Sequence, residues 1–142
     1  MKNSNFLKAL RLEENSIPPI WFMRQAGRYL PEYQAIRRGY KNFLDMCKEP
    51  RICAELALQP IERFNLDASI LFSDILTIPD AFDLGLAFHE GEGPKFSNPI
   101  SSSEHIDNLD LFQIDKLDYV FRAIEETKNI LPSDLPLIGF CG

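Results

Sequence analysis

Two arginines four residues apart, Arg24 and Arg28, bracket the small linker Gln25-Ala26-Gly27 in the run PPIWFMRQAGRYLPEY, residues 18–33. Each guanidinium fork can grip a carboxylate through two parallel charge-assisted hydrogen bonds, so an arginine pair converging on one pocket suits a polycarboxylate ligand. Ala26 and Gly27 add little bulk, which lets backbone N–H groups approach such a ligand closely. The surroundings have the matching charge: residues 21–41 hold Arg24, Arg28, Arg37, Arg38 and Lys41 against one acid, Glu32, a local balance of +4. A solvent-facing i, i+4 pair is the plainer alternative, since most arginines lie at the surface. The second candidate is Asp74, in ILFSDIL. A carboxylate closing an apolar run is costly to bury without partners, and it serves either a site or the cap of the following turn.

These side chains need elements to position them. Residues 5–12 read as a short helix, and IPPIWFM, residues 17–23, as a first strand whose prolines suit only its beginning. Residues 30–38 read as a helix with Pro31 at an early position and Gly39 as its stop. Pro50 opens a longer helix in which Ile52, Leu56, Ile61 and Phe64 recur at roughly helical spacing, with Pro60 expected to kink or end it. ASILFSDIL, residues 68–76, reads as a buried parallel strand that delivers Ser73 and Asp74 at its far end. The glycine- and proline-rich residues 82–100 form a hairpin or an excursion, followed by an exposed loop to residue 110. Leu117, Val120, Phe121, Ile124, Thr127 and Leu131 mark a helix that ends before Pro132, and LPLIGFC, residues 135–141, is a third strand. Connections this long permit parallel pairing, so an α/β fold is expected.

Composition narrows the functional classes. The 142 residues are 45% hydrophobic and 25% charged, ordinary for a globular protein, with a net charge of −6 that argues against sequence-independent nucleic-acid binding. Residues 101–142 carry eight acids and three bases, the signature of a solvated helical face. No run is long and apolar enough for a membrane span, and the start turns charged too soon for a signal peptide, so a cytoplasmic address is expected. Cys47, Cys53 and Cys141 lack disulfide-framework or zinc spacing and read as reduced, buried, small apolar residues. His89 and His105, in loop-like text, read as ordinary surface histidines.

In order and character, PPIWFMRQAGRYLPEY, DMCKEPRICAELALQPI, ILFSDIL, GEGPKF and PLIGFCG resemble the uroporphyrinogen decarboxylase family, and the match runs through nearly the whole chain. The resemblance implies a (β/α)₈ TIM barrel with its active site at the carboxyl ends of the strands, and a homodimer when full-length. Residues 1–142 would be the amino-terminal segment of one barrel domain whose carboxy-terminal part is missing, and the isolated segment is expected to be inactive. The implied reaction removes the four acetate carboxyl groups of uroporphyrinogen to give coproporphyrinogen in haem biosynthesis, with no cofactor and no metal.

Carried over from the resemblance, Arg24 and Arg28 hold substrate carboxylates, Gln25, Ala26 and Gly27 line the same loop, and Arg37 is a further basic residue on the substrate side. Asp74 faces the centre of the macrocycle, and Arg24 and Asp74 are the catalytic pair. The family's later tyrosine, serine and histidine site residues have no counterpart here. Two other readings compete. A methyltransferase sharing the barrel would need Cys and His zinc ligands at a spacing this chain lacks, and a non-catalytic module would hold an anionic tetrapyrrole without turnover.

Overall fold

The structure is a computed structural model describing residues 4–22, 28–89, 93–109 and 114–140. Helix α1, Asn5–Leu10, is followed over the described residues 11–22 by turns and irregular backbone, and the next helix is α2, Pro31–Arg37. Pro31 occupies the first turn of α2, where its fixed φ is preorganised and its missing N–H costs nothing. The chain leaves α2 through Gly39, whose N–H donates to the Ile36 carbonyl at 2.9 Å. Helix α3, Phe43–Cys47, had no clear sequence signal beyond its cap: the Asn42 side chain accepts from Asp45 N–H at 2.8 Å.

Helix α4, Pro50–Arg63, contains Pro60 and continues for three residues past it. Of the kink or end expected at Pro60, the end does not occur. The lost hydrogen bond is outweighed because Leu56, Gln59 and Pro60 are all buried, Leu56 within the core. The principal partner of α4 is α7, Asp118–Ile130, which a 3₁₀ turn at Ile114–Leu117 introduces and which stops before Pro132 as its pattern requires. Leu30, Tyr33, Met46, Cys47, Cys53, Leu56, Leu71, Phe72 and Ala123 form the buried core.

Strand β1, Ser69–Ile70, pairs in parallel with β4, Leu137–Ile138, in the register Ser69↔Leu137 and Ile70↔Ile138. Between them lie α5, Thr77–Ala81, an antiparallel hairpin of β2, Leu86–His89, with β3, Gly93–Phe96, then α6, Ser103–Asp107, and α7. This helix-bearing crossover between parallel strands is the mixed α/β arrangement that was expected. The glycine-rich hairpin is also as expected.

Three expectations fail. The described residues 17–22 form no strand, because Pro18 and Pro19 have no N–H to give a ladder. Ile20 is held by Asp67, donating its N–H to the Asp67 carboxylate at 2.7 Å and accepting from Asp67 N–H at 2.9 Å. Among the described residues, the strand expected over residues 68–76 pairs at Ser69–Ile70, with bonds from Ser69 N–H to the Pro136 carbonyl at 2.9 Å and from Leu71 N–H to the Ile138 carbonyl at 3.0 Å. Past that point no neighbouring strand runs alongside among the described residues, and Asp74 turns the chain into α5. The loop expected up to residue 110 contains α6, capped where the Ser102 hydroxyl accepts from His105 N–H at 3.2 Å.

Candidate functional site

Asp74 closes the segment that follows β1. Its Oδ1 accepts from Leu76 N–H at 2.8 Å and its carbonyl accepts from Thr77 N–H at 3.4 Å, an Asx-type turn that starts α5. The capping role weighed for this residue is therefore present. It does not exhaust the group, because a carboxylate offers about four lone-pair sites.

Asp74 also lines a cavity of about 400 Å³, and Arg28 lines the same cavity. The two come together because α4 and β1 return the chain to the segment that precedes α2. The rest of the wall is mostly apolar and includes Phe43, Phe72 and Phe140, with Ser73 beside the carboxylate. A largely apolar cleft of this size with a few convergent polar groups has the character of a small-molecule site. A smaller space of about 130 Å³ on the α7 side is also lined by Ser73, Asp74 and Phe140.

Arg28 is held by two of its neighbours, Phe43 and Gln34. Its guanidinium carbon sits 5.7 Å from the centroid of the Phe43 ring, within cation–π range. Phe43 packs on Phe72 with centroids 5.5 Å apart, and Phe72 on Tyr33 at 6.3 Å, so the cation rests on a continuous aromatic wall. The Arg28 carbonyl accepts from the Gln34 side-chain amide. Burial pushes the Tyr33 hydroxyl up, while the Arg28 and Arg37 charges pull it the other way.

Arg37 lies on α2 and donates from Nη1 to the Tyr40 carbonyl at 2.6 Å; it is not among the residues lining the cavity shared by Arg28 and Asp74. Arg24, Gln25, Ala26 and Gly27 lie outside the described residues, as does Cys141. Cys47 and Cys53 are free and buried, in keeping with their reading as small apolar residues. Burial, before any other cause, pushes the Cys53 thiol up to about 12 and Cys47 higher, with the Asp74 carboxylate adding a smaller push to Cys47. His89 belongs to β2, and His105 is exposed on α6.

Sequence reasoning missed Phe43, Gln34 and Phe140 as members of this site. Phe43 belongs to the unforeseen α3, and nothing in the text around it announces a guanidinium. Phe140 follows β4 and meets Asp74 only through the parallel β1–β4 pairing.

Taken together, fold and cavity describe an α/β protein with a cation and a carboxylate facing one apolar cleft beyond a parallel strand pair. The family model described as Uroporphyrinogen decarboxylase (URO-D) matches residues 1–142, and the chain belongs to that family. It is 56% identical over 142 residues to a protein named uroporphyrinogen decarboxylase from Dichelobacter nodosus, covering 100% of this chain and 41% of that protein. Proteins of the same name from Neisseria meningitidis serogroup C and Legionella pneumophila are 51% and 52% identical, again over 100% of this chain and over 40% and 41% of theirs. The chain thus spans about two-fifths of the length of these curated relatives. No helix among the described residues is long and apolar enough to cross a membrane.

Proposed function

We propose that this chain supplies the arginine and aspartate part of a site that decarboxylates the four acetate side chains of uroporphyrinogen to give coproporphyrinogen, in the cytoplasm and on the route to haem. The whole protein is a carboxy-lyase, a (β/α)₈ barrel of which residues 1–142 are the amino-terminal segment, and it works as a homodimer. The observation that carries the reading is that Arg28 and Asp74 line one cavity. Family membership supports the substrate class.

The chemistry asks for both groups. A porphyrinogen presents four inward pyrrole N–H donors, and an ionised Asp74 has about four lone-pair sites to accept them. Protonation of the ring carbon next to the one that bears an acetate turns that pyrrole into a cationic electron sink. The bond between the acetate methylene and its carboxylate then breaks, its electron pair flows to the pyrrolium to leave an exocyclic methylene, and carbon dioxide leaves; the methylene takes up a proton to become a methyl group, and the ring carbon gives back the first proton to restore the pyrrole. A fixed carboxylate close to the pyrrole nitrogens stabilises that developing positive charge by preorganised electrostatics. The substrate supplies its own electron sink, so the reading calls for no cofactor and no metal.

Arg24, Gln25, Ala26, Gly27 and Arg28 form the carboxylate-binding loop, with Arg24 orienting the departing carboxylate. An arginine with a pKa above about 12 is a reluctant proton donor, which favours orientation over acid catalysis for that residue. Arg37 contributes positive charge on the substrate side through its field.

A second reading treats the chain by itself as a non-catalytic binder of anionic tetrapyrroles, which its two-fifths span of the relatives favours. Both are tested on one sample by titrating uroporphyrin into the chain and assaying uroporphyrinogen turnover anaerobically. Saturable binding that weakens for the tetracarboxylate coproporphyrin, with no turnover by the chain alone, is the expected result. Absence of saturable binding, or equal affinity for the two macrocycles, would sink both readings.

A further inference from the structure

Two chain segments deliver the site: one carries Arg28 into α2, the other runs from the end of α4 through β1 to Asp74. Among the described residues, a bidentate ion pair joins them outside the cavity lining. Arg63 Nε donates to Glu32 Oε1 at 3.0 Å and Arg63 Nη2 donates to Glu32 Oε2 at 2.9 Å, across a separation of 31 residues. We infer that the Glu32–Arg63 fork is a positioning clamp that sets the reach of Arg28 across the cavity toward Asp74.

The local structure explains why a clamp is useful here. Helix α2 has no side-chain N-cap, because the residue before it is Leu30. Glu32, in its first turn, receives the Arg63 fork, and its carboxyl lies below the usual range, lowered first by the backbone N–H dipole at the helix start and then by Arg63, with desolvation acting the other way. Four residues upstream is Arg28, and between them Leu30 is fully buried and Pro31 has a locked φ. Little freedom separates the clamped carboxylate from the guanidinium. On the other side, Arg63 is the last residue of α4, and six residues later the chain enters β1.

A stability role does not account for this geometry. Arg63 and Glu32 keep 46% and 34% of their side-chain surface exposed, and exposed ion pairs add little to global stability. The fork instead restricts orientation, since two parallel hydrogen bonds define a plane that a single ammonium contact cannot.

This inference rests on the proposed function for its consequence, and the test separates the two. The full chain is compared with Arg63→Lys and Glu32→Gln by NMR, following the contact between the Arg28 guanidinium Nε–H and the Phe43 ring protons, with no ligand present. Both variants should lose or average that contact while thermal midpoints stay within a few degrees, with Arg63→Lys, which keeps the charge, affected less. Uroporphyrin affinity, read by porphyrin fluorescence, should fall roughly three- to tenfold in each, and combining either with Arg28→Lys should add little to the loss from Arg28→Lys alone. If wild type binds uroporphyrin but the Arg28–Phe43 contact is unchanged in both variants, the clamp is refuted and the functional reading stands. If the contact responds as described while wild type binds no uroporphyrin, the functional reading fails and the clamp stands. Affinity losses that add fully to that of Arg28→Lys also overturn the clamp.

Discussion

Replacing Asp74 by asparagine and by alanine separates the two things its carboxylate is asked to do. One is local: Oδ1 accepts from Leu76 N–H at 2.8 Å and holds the turn into α5. Asparagine keeps an acceptor oxygen at that position, so Asp74→Asn should change unfolding free energy by no more than a few tenths of a kcal/mol. Alanine keeps none, and loss of a comparable cap costs roughly 0.5–2 kcal/mol. The other task is to accept pyrrole N–H groups with full negative charge. Hydrogen bonds to a charged group contribute about 1.5–3 kcal/mol, against about 0.5–1.5 for neutral ones. Removing the charge at unchanged shape should therefore cost about 1–2 kcal/mol for one such bond, roughly a 5- to 30-fold weaker Kd. The asparagine amide also turns donors toward the donors of the macrocycle, which pushes the loss to the upper end. Asp74→Glu, which keeps the charge and shifts it by one methylene, should lose less. The assay is anaerobic calorimetry with uroporphyrinogen, with urea denaturation of each variant. An Asp74→Asn protein that binds within twofold of the parent would show that the charge is not what the macrocycle uses. An Asp74→Ala protein as stable as Asp74→Asn would show that the turn hydrogen bond is not what the cap supplies.

Arg28→Lys keeps a cation over Phe43 but loses the fork, so uroporphyrin affinity should drop several-fold with little change in stability; an unchanged Kd would remove Arg28 from the carboxylate contacts. Leu56 is fully buried in the core, and Leu56→Ala should cost about 2–5 kcal/mol in a urea titration; a loss under 1 kcal/mol would mean that the α4–α7 contact is not where stability resides. An unfolded thiol ionises near its ordinary value of 9.0, while the folded Cys53 keeps its proton to about 12. Above pH 9 the unfolded chain has therefore shed a proton that the native chain retains, so stability falls as pH rises toward 12, and Cys53→Ala should flatten that decline. Gly85 has φ +69°, and a Cβ there would meet the Ser97 hydroxyl oxygen at 1.9 Å. Gly85→Ala should cost more than about 1 kcal/mol, and adding Ser97→Gly should recover only part, because the left-handed backbone remains.

The amino-acid sequence by itself determined the kind of protein and most of its helices. Pro31 and Pro50 mark helix starts and Pro132 a helix stop through covalent geometry alone, and the Leu117-to-Leu131 stripe needs only its own period to be read as α7. Asp74 was legible because a carboxylate at the end of an apolar run has few cheap explanations. Side-chain chemistry and local periodicity carry that information without reference to any distant residue.

What the sequence left open are the features settled by partners far along the chain. Whether residues 68–76 pair throughout or only at Ser69–Ile70 depends on where the 137–138 segment lies, since a strand's N–H and C=O groups are satisfied from outside itself. Helix α4 survives Pro60 because Leu56 and Gln59 are buried by tertiary packing, an energy no local propensity contains. Phe43 under Arg28 and the Arg63 fork on Glu32 join residues 15 and 31 apart, and no spacing rule links either pair. Arginine and aspartate could be named from their chemistry, but their meeting across one cavity was decided by the return of the chain through α4 and β1, because a distance between remote residues belongs to the packed molecule.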